Sequence, residues 1–181
     1  MDTVEYHKLV RDKMPEIIKQ DGWTPIIRIL PEDEYKKELE KKLYEEYQEV
    51  LSATGEKRIE ELSDMLEVMI SLAGLEGKTL EDIVETAIGK DGRNPVTRIL
   101  SEDEYEKELE KKLYEEYQEM LSVTGEKRIE GLLDMLETMM SLARLEDKTL
   151  EDVVETSKVK KLKRGGFDKK IFLEKEIKEE K

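Results

Sequence analysis

Hydrophobic positions along the chain recur with the period of a helix. Leu39, Leu43, Tyr47 and Val50 fall every three to four residues, the spacing of one buried stripe. Farther on, Ile59, Leu62, Leu66, Ile70 and Ala73 form one face, and Val68, Leu72 and Leu75 form a second. A helix that is apolar on two sides packs between neighbours in a bundle. The whole pattern then returns. Residues 26–86 align with 96–156 at a period of 96 − 26 = 70, with 13 differences over 61 positions, leaving 61 − 13 = 48 identities. Chance does not produce that, so the unit is duplicated. Two copies of this length do not make a solenoid. They read as two halves of an intramolecular pseudo-dimer.

Each copy predicts three helices. The first opens near Ser101-Glu102-Asp103-Glu104, a capping box, with Pro31 replacing the Ser in copy 1. It ends near Thr54-Gly55 and Thr124-Gly125. The second runs from about Lys57 to Leu75 and from Lys127 to Leu145. The third starts at Thr79 or Thr149, with Asp82 or Asp152 three residues on. Short β-prone runs at Lys8 to Arg11, Ile26 to Leu30, Val96 to Leu100 and Lys170 to Leu173 are expected to pair into a small sheet. An arm, Tyr6 to Pro15, precedes copy 1, and a basic tail, Lys160 to Phe167 followed by Ile171-Phe172-Leu173, follows copy 2. Neither occurs at the turn-rich connector Gly89 to Pro95. The expected fold class is therefore all-α, a helical bundle of two tandem repeats with short β strands from the arm and tail. The expected division is 1–88, the arm plus repeat 1, and 89–181, repeat 2 plus the tail.

Against this pattern some acids stand out. Glu46 falls inside the stripe between Leu43 and Val50, and Glu49 lies one turn on at its edge. Glu61 and Asp64 lie on the second apolar face of the next helix. Unpaired buried carboxylates cost several kcal/mol each. Four together call for a counterion, and all-oxygen ligands suit Mg²⁺ or Mn²⁺ better than Zn²⁺. The competing explanation is a charged face laced by i, i+4 pairs to Lys41, Lys42 and Lys57.

Charge narrows the function classes. With 32 Lys+Arg and 46 Asp+Glu the net charge is 32 − 46 = −14, which disfavours a nucleic-acid polymer as partner. There is no Cys, so disulfides and thiolate zinc sites are excluded. The first six residues lack a basic and an apolar signal region, and no apolar run approaches the ~20 residues of a bilayer span. No membrane partner and a cytoplasmic location are expected. The single His7 reads as incidental, Trp23 as packing in a turn, and Met135, Met139 and Met140 as core filler.

Glu45-Glu46-x-x-Glu49, a turn, then Glu61-x-x-Asp64 resembles the EExxE…ExxD signature of the MazG-like all-alpha nucleoside triphosphate pyrophosphatases. The arm Lys8-Leu9-Val10-Arg11-Asp12-Lys13 and the tail Lys163-Arg164-Gly165-Gly166-Phe167 are similar to the phosphoribosyl-ATP-pyrophosphohydrolase-like branch. The resemblance covers nearly the whole chain, as a tandem duplication. It implies Mg²⁺-dependent cleavage between the α and β phosphates of a nucleoside triphosphate, giving the monophosphate and pyrophosphate. Glu46, Glu49, Glu61 and Asp64 would be metal ligands, and Glu45 a supporting acid or the base for water. Basic residues must then meet the phosphates, and Lys8, Arg11, Lys13, Lys160, Lys163 and Arg164 supply them. For the tail the alternative is a helix C-terminus offsetting its dipole, with Gly165-Gly166 as the stop. Copy 2 keeps Glu116, Glu119 and Asp134 but has Gly131 where copy 1 has Glu61, and Leu133 replaces Ser63. One working site, on repeat 1, is expected. The alternatives are phosphoribosyl-ATP hydrolysis and a weakened helical scaffold. The expected partners are a nucleoside triphosphate or phosphoribosyl nucleotide, and homodimerisation of the whole chain is left open.

Overall fold

The computed structural model describes residues 2–80 and 98–178. The order is β1 (Asp2–Leu9), α1 (Met14–Gln20), β2 (Thr24–Ile29), α2 (Glu32–Ser52), α3 (Gly55–Leu75), α4 (Glu102–Leu121), α5 (Glu126–Leu145), α6 (Leu150–Arg164) and β3 (Ile171–Lys178). The molecule is mostly helical with one small antiparallel sheet, ordered β1-β3-β2. Ser101 and Glu104 form the expected capping box on α4, and Thr149 and Asp152 form another on α6. The third helix expected after Thr79 and the connector Gly89 to Pro95 lie almost wholly outside the described residues. Among the described residues, no helix is long and apolar enough to cross a membrane.

Two local expectations need correction. Residues 98–100 form no strand, and Ile99 is fully exposed. The matching Arg28-Ile29 of copy 1 does pair, with Phe172 and Ile171 of β3. The same dipeptide is strand only where a partner strand lies beside it. The strand expected at Lys8 to Arg11 ends at Leu9, and a short helix, Met14 to Gln20, follows with Pro15 in its first turn. Ile18 holds it down against Val10, Ile171 and Leu173 in a small satellite core.

The main core is continuous across the chain. Leu43 and Val50 of α2 and Leu62 and Leu72 of α3 are fully buried in one cluster with Leu113 and Leu132 of the second half. Each such side chain contributes about 1.5–3 kcal/mol by leaving water. α3 is packed between α2, α5 and α6, as its two apolar faces require. α6 comes from the second half, yet it packs mainly on α3 of the first. The sheet repeats this exchange, because β3 lies between two strands from the first half.

Reciprocal contacts join the halves. Tyr47 donates to the Glu110 carbonyl at 3.3 Å, and Tyr117 to the Glu40 carbonyl at 3.3 Å. Tyr44 stacks on Tyr117 and Tyr47 on Tyr114, with centroids 5.7 and 5.6 Å apart. Arg58 and Arg128 are both buried, each donating through Nε to a carbonyl of its own half, Ala53 or Val123. Arg58 then reaches Glu106 at 2.6 Å and Glu110 at 3.3 Å. Arg128 reaches Glu40 at 2.8 Å, but its Nη1 has no hydrogen-bond partner among the described residues. The cause is a repeat difference. The residue matching Glu106 in copy 1 is Lys36, which cannot accept. Lys36→Glu is therefore expected to stabilise the protein by about 1 kcal/mol. Thermal unfolding should show Tm rising by about 2–4 °C.

Candidate metal and phosphate site

The helical period aims three acids at one point. Glu46 is buried on α2, and Glu61, also buried, lies one turn before Asp64 on α3. One carboxylate oxygen of each lies within 4.8 Å of the other two. Burial pushes the Glu46 carboxyl up, with Lys42 opposing and Asp64 and Glu61 adding to it. Glu49 is more exposed. Partial burial, a shared hydrogen bond with Glu61 and the charge of Glu46 push its carboxyl up to about 7. An oxygen-only set of this density fits a hard divalent cation such as Mg²⁺.

Each acid also has a cationic neighbour. Lys42 reaches Glu46 at 2.5 Å, and Lys57 pairs with Glu61. These are the i, i+4 pairs of the competing explanation, here directed at the same carboxylates. Asp64 is held from outside its own repeat, by the arm and by the second half. Arg11 of the arm donates to Oδ1 at 2.8 Å, and Lys160 of α6 to Oδ2 at 2.9 Å. Arg11 is buried, donates also to the Gly165 carbonyl at 3.1 Å, and lies over the Phe167 ring at 5.0 Å. The arm and tail thus meet at the first repeat's acids.

Two cavities flank the cluster. The larger, about 550 Å³, is lined by Glu49, Glu61 and Asp64 and by Lys57, Lys160, Lys163 and Arg164. The smaller, about 290 Å³, is lined by Glu46, Glu49 and Asp64, the arm residues Lys8 and Arg11, and several apolar side chains. Lys163 and Arg164 are exposed, with no ion pair among the described residues. Lys8 lies 5.2 Å over the Tyr6 ring. Lys13 turns away and donates to the Leu162 carbonyl at 2.6 Å. Glu45 lines neither cavity and lies 4.0 Å from Lys41.

No family model and no solved structure matches the chain. A curated protein of Mycolicibacterium smegmatis (strain ATCC 700084 / mc(2)155), described as an uncharacterized protein, is 50% identical over 46 residues. The match covers 25% of this chain and 47% of that protein, so the chain spans about half the length of the curated relative it matches. Function is therefore read from the site itself.

The second half presents a different surface. Glu116 is buried and pairs with Lys112, whereas Glu119 and Asp134 are exposed. Among the described residues, the three-acid geometry occurs at Glu46, Glu61 and Asp64 and not here. At Gly131 an added Cβ would lie 3.1 Å from the Met120 Cβ. The missing side chain lets α4 and α5 close on each other there. A Glu at this position has to push the helices apart.

Glu67 carries a role that its sequence position only hinted at. It extends the Glu61, Asp64 row by another i+3 step and is buried. Ser157 donates to it at 3.2 Å, and Lys161 pairs with it at 3.0 Å. Glu137, the matching residue of the second half, is exposed, because α6 covers the first half. The tail glycines make the close approach possible. Gly165 has φ +79, and a Cβ there would lie 2.8 Å from the Asp12 Cβ. Asp12 donates its backbone N–H to the Gly166 carbonyl at 2.7 Å, and Lys13 its own to the Arg164 carbonyl at 2.9 Å. Gly165→Ala is expected to cost about 1–3 kcal/mol of stability from the backbone conformation and the clash. Urea unfolding measures that loss.

Proposed function

We propose that this chain is a Mg²⁺-dependent nucleoside triphosphate pyrophosphohydrolase with one working site. The site is built on the first repeat and completed by the second half's tail. The two repeats act as an intramolecular pseudo-dimer, which the reciprocal Tyr47/Tyr117 and Arg58/Arg128 contacts support. The observation that carries the reading is the meeting of Glu46, Glu61 and Asp64 within 4.8 Å, beside a cavity whose Lys163 and Arg164 have no ion pair among the described residues.

Glu46, Glu61 and Asp64 would hold the metal, with Glu49 at the edge. When bound, the cation neutralises charge developing on phosphoryl oxygens and supplies hydroxide near neutral pH. The protein's own groups set the rest. Arg11 and Lys160 fix the Asp64 carboxylate from opposite oxygens. Lys163 and Arg164, on the rim of the larger cavity, are placed to meet phosphate oxygens. Glu45, which lines neither cavity and faces Lys41, has no part in this site. The metal also resolves the charge problem. A net −14 protein repels a triphosphate, and a divalent cation in the acid cluster reverses the sign locally.

A nucleotide panel tests this reading. Pyrophosphate release is expected from nucleoside triphosphates with Mg²⁺ and not in chelator. No release from any triphosphate would reject the reading. Release that survives Glu46→Ala would reject the site assignment while leaving the activity.

A further inference from the structure

The two cavities beside the acids differ in chemistry. The larger is walled almost entirely by charged side chains, with Val159 its one aliphatic residue. The smaller also has eight charged lining residues, but it adds an apolar part made by Tyr6, Leu9, Val10, Met14 and Leu173. Both touch Glu49, Asp64 and Arg164, so a ligand at the acids can extend into both. Phosphates, which are fully charged, suit the first wall. A nucleobase is flat and largely apolar on its faces, and suits the second.

Backbone geometry at the mouth of the smaller cavity points the same way. β1 pairs regularly with β3 up to Glu5↔Lys175 and again from Lys8↔Leu173, with a register shift between. Two residues, Tyr6 and His7, therefore face one residue of β3. This is a β-bulge. His7 takes φ +49, a left-handed conformation that is strained for a non-glycine residue. Neither His7 nor Tyr6 offsets that strain through burial, because both are exposed. A bulge re-aims the neighbouring side chain, and here Tyr6 and Lys8 both line the cavity. Bulges are over-represented at sheet edges, where β1 lies, and next to active sites.

Resting on the pyrophosphohydrolase reading above, we infer that the smaller cavity is the nucleobase subsite and that Tyr6 is its base-stacking residue. The base stacks on the Tyr6 ring and packs against the flexible thioether of Met14. The α-phosphate then lies at the acids, and the departing pyrophosphate extends into the larger cavity towards Lys160, Lys163 and Arg164. The arm thus does two things from adjacent positions. Arg11 orders the acid site, and Tyr6, five residues earlier, grips the base.

The test compares wild type, Tyr6→Ala and Tyr6→Phe as full chains. Steady-state pyrophosphate release is measured on nucleoside triphosphates. In parallel, calorimetry with Mg²⁺ measures binding of an α,β-methylene nucleoside triphosphate, which cannot be cleaved. Tyr6→Ala is expected to raise KM and weaken analogue binding by at least about tenfold, the loss of one stacked base. Tyr6→Phe keeps the ring and is expected to restore both within about twofold, on the same stacking argument. Tm should stay level in both, since Tyr6 is exposed. Unchanged KM and unchanged binding in Tyr6→Ala, with an active wild type, would overturn the inference and leave the enzyme reading intact. Analogue binding that depends on Tyr6 in a wild type that cleaves nothing would keep the subsite and reject the reaction. A wild type that neither binds nor cleaves overturns both.

Discussion

Glu61→Gln is expected to lower pyrophosphate release by about 100- to 1,000-fold, the usual cost of deleting one preorganised charge-stabilising group. The substitution nearly conserves volume. It removes the charge from the middle acid of the cluster, one of whose oxygens lies within 4.8 Å of an oxygen of Glu46 and of Asp64. Stability should move the other way. Glu61 stands close to Glu46 and Glu49, whose carboxyls are pushed up by burial and further by Glu61 itself. Removing a like charge from that group relieves repulsion in metal-free protein. Its lysine partner, Lys57, is exposed and loses little. Tm without metal should therefore hold or rise, while the Mg²⁺-induced rise expected of wild type should vanish. Lost activity with an intact Tm separates a site effect from unfolding. A variant that kept full activity would remove Glu61 from the site.

Arg58→Met is expected to be the most destabilising single change at the contact between the halves, at about 3 kcal/mol. Met replaces most of the aliphatic stem, so the loss falls on the guanidinium. That group is 3% exposed and holds Glu106, Glu110 and Glu146, as well as the Ala53 carbonyl. The three acids are 38, 25 and 19% exposed and can rehydrate, which keeps the cost at the low end for a broken buried pair. Arg128→Met should cost clearly less, because among the described residues Arg128 Nη1 has no acceptor where Lys36 replaces an acid. Chemical denaturation of the two variants side by side measures the difference. Equal losses would mean that the Glu106 pair contributes nothing.

Much of this was legible in the order of residues, and the limits are physical. The 3.6-residue period placed Glu46 within the Leu43–Val50 stripe and Glu61 one turn from Asp64, and these three acids do converge. The caps at Ser101 and Thr149 were readable because they are local, spanning four residues each. What depends on long-range packing was not readable. Nothing in Arg98-Ile99 says that it lacks the partner strand its twin Arg28-Ile29 enjoys. Nothing near Lys160 says that it crosses to Asp64, 96 residues away in sequence. Glu67 and Arg58 sat in view on apolar faces, and only the covering elements decide that they are buried and paired. The single arm and single tail did carry a signal. Their meeting at repeat 1 explains why Glu67 is buried and Glu137 is not.

The most direct measurement is ³¹P NMR of a nucleoside triphosphate incubated with the full chain and Mg²⁺. The expected spectrum shows nucleoside monophosphate and pyrophosphate growing in equal amounts, and no change when Mg²⁺ is chelated. Nucleoside diphosphate with inorganic phosphate, or an unaltered triphosphate, would contradict the account.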